Sequence, residues 1–133
     1  MIEFKFFHPV AIRYADLGTR QHVNNARYLS FLEDARIAYG KRLGLSVNVG
    51  VIIVDIHITY HKPAFLDDQI KVGVRVSYIG NKSLTFEHCI VDLEEKTLYA
   101  SAETVLVAYD YQDDLTIPVP ESWREAIAAF EQG

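Results

Sequence analysis

The chain has 133 residues, half of them hydrophobic, which is the length of one domain (1–133) with enough apolar matter for an independent core. A formal charge of −5 argues against a nucleic-acid partner, because the phosphate backbone calls for a basic surface. No apolar run approaches the ~20 residues that span a bilayer, so no membrane partner is expected. The opening stretch MIEFKFFHPV lacks the features of a signal peptide, and the lone Cys89 excludes an internal disulfide framework. A reducing cytoplasm is therefore the expected location.

In chain order, Phe4 to Tyr14 is rich in aromatic and aliphatic residues and reads as a strand interrupted near Pro9. From Ala26 to Leu43 the pattern turns helical: Tyr28, Leu32, Ala35, Tyr39 and Leu43 recur at three- and four-residue spacing, and Gly44 supplies the stop. From Gly50 the period becomes two. Ile56, Ile58 and Tyr60 alternate with polar residues, as do Ile70, Val72, Val74, Val76 and Tyr78. Leu84–Asp92 and Thr97–Tyr109 continue as two more strands around the turn Leu93-Glu94-Glu95-Lys96. After Pro118 and Pro120 a short helix is expected from Glu121 to Phe130, with Trp123, Ile127 and Phe130 facing the sheet.

A strand, a long helix and four successive strands joined by short turns make an α+β architecture, an antiparallel sheet packed on one helix. One helix cannot cover a wide sheet, so a second copy of the chain is the economical cover, as a homodimer or homotetramer.

The stretch RYADLGTRQHVNNARYLSFLEDAR, Arg13 to Arg36, concentrates the unusual chemistry. Its helix start offers unpaired N–H groups and a partial positive charge, a natural holder for a developing oxyanion. Asn24 or Asn25 is also a natural helix cap. This stretch, with TYHKPAFLDD and VSYIGNKSLTFEH, resembles the hot-dog-fold acyl-CoA thioesterases of the 4-hydroxybenzoyl-CoA thioesterase type. The string QHVNNARY is also similar to the corresponding turn of plant acyl-carrier-protein thioesterases. The resemblance implies a hot-dog fold, with the antiparallel sheet wrapped around one long central helix. It also implies hydrolysis of an acyl-CoA or acyl-carrier-protein thioester, with coenzyme A entering only as part of the substrate and no other cofactor.

The family's pattern in this turn is Asp-x-Asp, a short turn, then His-Val-Asn-Asn, with the second Asp as the catalytic carboxylate. Here the first Asp is Asp16, the second falls on Gly18, and the histidine is His22. Gln21 stands where the family commonly has glycine. Catalytic candidates are accordingly Asp16, His22, a backbone amide at Asn25 or Ala26, and Glu33 on the helix. Each has a plain alternative. Asp16 can bond turn amides or pair with Arg13 or Arg20, His22 can hold the turn together, and Glu33 can pair with Arg36. Arg20, Tyr28, Lys82 and Ser83 are the substrate-binding candidates, Lys82 for a phosphate and Ser83 as a polar contact. His57, His61 and His88 show no paired ligand spacing, so no metal is expected. Cys89 has no activating base and reads as a buried apolar residue. The rival readings are an acyl-thioester-binding protein without catalysis and a hot-dog hydratase.

Overall fold

The computed structural model describes residues 3–45 and 49–133. The elements run β1 (Phe6–Val10), a 3-10 turn (Tyr14–Asp16), α1 (Arg27–Leu43), β2 (Gly50–Tyr60), β3 (Ile70–Ile79), β4 (Ser83–Asp92), β5 (Leu98–Asp110), β6 (Leu115–Thr116) and α2 (Glu121–Gln132). The main strands form one antiparallel sheet in the order β1-β3-β4-β5-β2, with β6 paired to the end of β5. α1 lies across the sheet over β1 and β3. Leu32, Ala35 and Tyr39 pack there against Val72, Val74 and Ile90.

The hydrophobic periodicities account for most of this. α1 ends where expected, at Gly44 in the left-handed region with φ 70°, its amide donating to Gly40 and Lys41 carbonyls. The alternation of β3 and β4 sends Ile70, Val72, Val74, Leu84, Phe86, His88 and Ile90 to the helix side.

Several expectations change. Pro9 does not interrupt the first strand. It pairs with Lys71 inside β1, and because β1 is an edge strand the missing N–H costs no ladder bond. The strand itself is shorter, giving way to the 3-10 turn at Tyr14. Tyr78 leaves the inward face: a bulge between Val76 and Tyr78 inserts Ser77 and turns Tyr78 outward, 65% exposed. The four later strands are also not one meander. β3, β4 and β5 are joined by short turns, but β2 crosses to the far edge and pairs with β5. α2 runs two residues past Phe130, and β6 is an element that its short, polar sequence does not announce.

Candidate active site

The turn between β1 and α1 is a small three-stranded arrangement. Leu17 and Val23 pair across it, with Gly18 N–H donating to the His22 carbonyl (2.8 Å) and Asn24 N–H to the Asp16 carbonyl (2.8 Å). Val23 N–H donates in turn to the Ala64 carbonyl (2.8 Å), and His22 pairs with Phe65 in the β2–β3 connection. Val23 points into the core. By strand alternation Gly18 and His22 then share the opposite face. Two tyrosines complete the clamp: Tyr28 Oη accepts the Ala64 N–H (3.2 Å) and Tyr60 Oη donates to the Asn25 carbonyl (2.8 Å).

Asp16 anchors the turn from beneath. Its carboxylate is 1% exposed and accepts the Arg13 backbone N–H (2.8 Å) and guanidinium (3.0 Å), with Arg27 Nε at 3.8 Å. Burial alone would raise its pKa. The Arg13 bonds and the Arg27 charge outweigh that and hold the carboxyl below the usual carboxylate range. Arg20, the other expected partner, is exposed at the tip of the turn and does not reach Asp16.

At the start of α1, Asn24 rather than Asn25 is the capping side chain: its Oδ1 accepts the Ala26 N–H (3.0 Å), and its carbonyl accepts the Arg27 N–H (2.9 Å). The amides of Ala26 and Arg27 are thus spent. The Asn25 amide has no partner among the described residues and is a donor left for a ligand. His22 Nδ1 lies 3.1 Å from the Val23 carbonyl. A carbonyl only accepts, so Nδ1 carries the proton and Nε2 of the neutral ring keeps its lone pair.

The remaining candidates lie apart. Tyr28 is a buried wall of the turn rather than an open surface. Glu33 is exposed on the outer face of α1 and forms no ion pair with Arg36 among the described residues. Lys82 and Ser83 sit in the β3–β4 turn, where Lys82 Nζ donates to Thr116 Oγ1 (3.3 Å). That turn is at the opposite end of the sheet: the site adjoins Tyr60, Ile70 and Leu98, whereas Ser83 pairs with Val107. Over nine residues of β3 the separation is roughly 30 Å. Cys89 is half-buried, and burial pushes its thiol up to about 11, which removes it as a nucleophile.

One residue that the sequence offers only as a pairing partner for Glu33 is buried instead. Arg36, in a helix of charged and apolar residues, looks like a surface arginine, yet it is 9% exposed and reaches Thr104 Oγ1 at 3.5 Å. Only its place on the flank of the apolar stripe hints at this.

Comparisons with known proteins show what the chain is similar to. The model of the thioesterase-like superfamily matches residues 12–127. The long-chain acyl-CoA thioesterase FadM of Escherichia coli is 28% identical over 123 residues, covering 89% of this chain and 93% of the relative. The acyl-CoA thioesterase YbgC of Haemophilus influenzae is 30% identical over 115 residues, covering 81% and 82%. A Thermus thermophilus thioesterase crystallised with coenzyme A and zinc superposes with a TM-score of 0.88 at 32% identity, over 100% of this chain and 98% of that one. A hot-dog sheet, a clamped turn and an open amide at the head of the central helix thus come with family likeness over nearly the full length, and the chain belongs to the thioesterase-like superfamily.

Proposed function

We propose that the protein hydrolyses acyl-CoA thioesters, with the Asn25 amide holding the oxyanion and His22 Nε2 serving as general base. The observation that carries this reading is the free Asn25 amide at the head of α1 beside a histidine whose other nitrogen is already committed. Water attacks the thioester carbon while Nε2 takes its proton. The carbonyl oxygen gathers charge against the Asn25 N–H and the positive end of α1. The C–S bond then breaks, and the departing sulfur takes the proton back from the imidazolium. The products are the carboxylic acid and the free thiol. Asp16 is a positioning residue in this scheme, because its oxygens face Arg13 and Arg27 and not the open side of the turn.

The relatives' names speak for CoA rather than a carrier protein as the thiol. A homodimer across the β2 edge fits this substrate. β2 presents an unpaired edge of eleven residues with Val51, Ile53 and Val54 exposed, a surface that a second strand would cover. Antiparallel pairing about a two-fold axis sets the Gly50 end of one β2 beside the Tyr60 end of the other. Lys82 of the partner subunit and its neighbouring Ser83 then approach the site end, where Lys82 can meet a CoA phosphate.

A specific observation favours a second reading, an acyl-thioester binder without turnover: position 18 carries no carboxylate, and Asp16 is not free to replace it. A panel of short, long and aromatic acyl-CoAs, followed by thiol release, separates the two. Turnover of any member supports hydrolysis, whereas binding of several without turnover supports the binder.

A further inference from the structure

The helix-facing side of the sheet contains one polar island. Arg36 of α1 extends past the strands its helix covers to reach Thr104 on β5 (3.5 Å), and Thr104 Oγ1 lies 3.3 Å from His88 Nε2 on β4. Arg36 is 9% exposed and His88 2%. Thr104 Oγ1 accepts from the guanidinium and shares a second hydrogen bond with Nε2 of the neutral His88 ring. His88 Nδ1 is buried and has no partner among the described residues, and the other guanidinium N–H groups have none there either. Burial, and then the Arg36 charge, push His88 down to about 3, so the ring does not itself supply a second cation. The unspent guanidinium N–H groups are donors. Glu33, one turn earlier on α1, favours the Arg36 charge through its field but forms no ion pair with it among the described residues. An acceptor-only anion would complete such a cluster.

The island lies in line with the active site. On β5 the inward side chains from the site end are Ala100, Ala102 and Thr104. Ala100 pairs with Tyr60, whose hydroxyl holds the Asn25 carbonyl. Four residues of strand separate Ala100 from Thr104, ~13 Å. α1 packs over β1 and β3, so small side chains floor this lane toward the β2 edge.

We propose that Arg36, with Thr104 and His88, receives a carboxylate at the far end of the substrate's acyl chain, so that monothioesters of dicarboxylic acids are preferred over plain fatty acyl thioesters. This rests on the hydrolase reading for its substrate, not for the anion site itself. The test compares the CoA monothioester of decanedioic acid with decanoyl-CoA, in the wild type and in Arg36→Met, whose apolar chain fills a similar volume. The expected result is a kcat/KM about tenfold or more higher for the dicarboxylic thioester in the wild type, with the ratio falling toward one in the variant. A wild-type ratio near one, or a preference that persists in Arg36→Met, overturns the proposal. Arg36→Gln is the substitute if Arg36→Met does not fold. If neither thioester is hydrolysed, the hydrolase reading fails separately and Kd values decide the anion site. A Kd about tenfold lower for the dicarboxylic thioester, lost in the variant, supports it, and equal Kd values overturn it.

Discussion

At Gly18, a Cβ would meet nothing nearer than the His22 carbonyl oxygen at 3.7 Å, and the backbone is not in the left-handed region. The missing carboxylate is therefore absent by residue choice and not by steric exclusion. Gly18→Asp is expected to fold and to raise the thiol-release rate at least tenfold, because an acid on the His22 face adds a second proton acceptor. An unchanged rate in the folded variant would show that His22 alone carries the base role. Three residues on, Gln21 occupies the left-handed region with φ 68°, where a side chain is penalised by about 1 kcal/mol. The family's glycine fits there freely. Gln21→Gly is expected to raise the unfolding free energy by up to about 1 kcal/mol, offset in part by the looser unfolded chain, as read from urea denaturation.

The elements hold the site by a few long-range bonds. Val23, Tyr28 and Tyr60 fix the turn to the β2–β3 connection, while α2 secures the other end of α1. There Glu131 accepts the Tyr39 hydroxyl (2.6 Å) and the Val76 N–H (3.1 Å), which places its carboxylate at the β3 bulge. Glu131→Gln weakens both bonds by removing the charge, and Tm is expected to fall by about 3 °C, near 1 kcal/mol. Element identity is legible because periodicity reports burial directly: the 28-32-35-39 stripe and the valines of β3 lie inward, as their spacing predicts. Strand order was not legible, since a nine-residue connection after β2 allows either a hairpin neighbour or a crossing. The bulge at Ser77 was hidden for a similar reason: it depends on pairing with β4, and no local residue marks it.

For the molecule as a whole, the buried polar island sets the response to acid. His88 stays neutral in the fold down to about 3, while in the unfolded chain it binds a proton near pH 6.5. The unfolded state then holds more protons through this window, so stability falls with pH at about 1.4 kcal/mol per unit below 6.5. The groups facing the ring are Arg36 from α1, Thr104 from β5 and the stacked Phe86 of its own strand, and none offers a negative charge. Chemical denaturation at pH 6.5 and pH 5 is expected to show a loss of about 2 kcal/mol, largely absent in His88→Gln. The motif in the Arg13–Arg36 stretch singles out the candidate site. The division of labour inside it was not, because nothing in the letters says that Asp16 faces two arginines or that Asn24 spends the Ala26 amide. Likewise Lys82 and Ser83 match the family by sequence, yet in this chain they stand at the end of the sheet away from the candidate site.

A turn without its second acid is expected to hydrolyse a thioester through His22. Steady-state thiol release from saturating acyl-CoA, measured for the wild type and for His22→Gln, should show turnover by the wild type and a kcat about a hundredfold or more lower in the variant, with KM little changed. Wild-type protein that binds acyl-CoA without releasing thiol, or a His22→Gln variant that turns over at the wild-type rate, would overturn that reading.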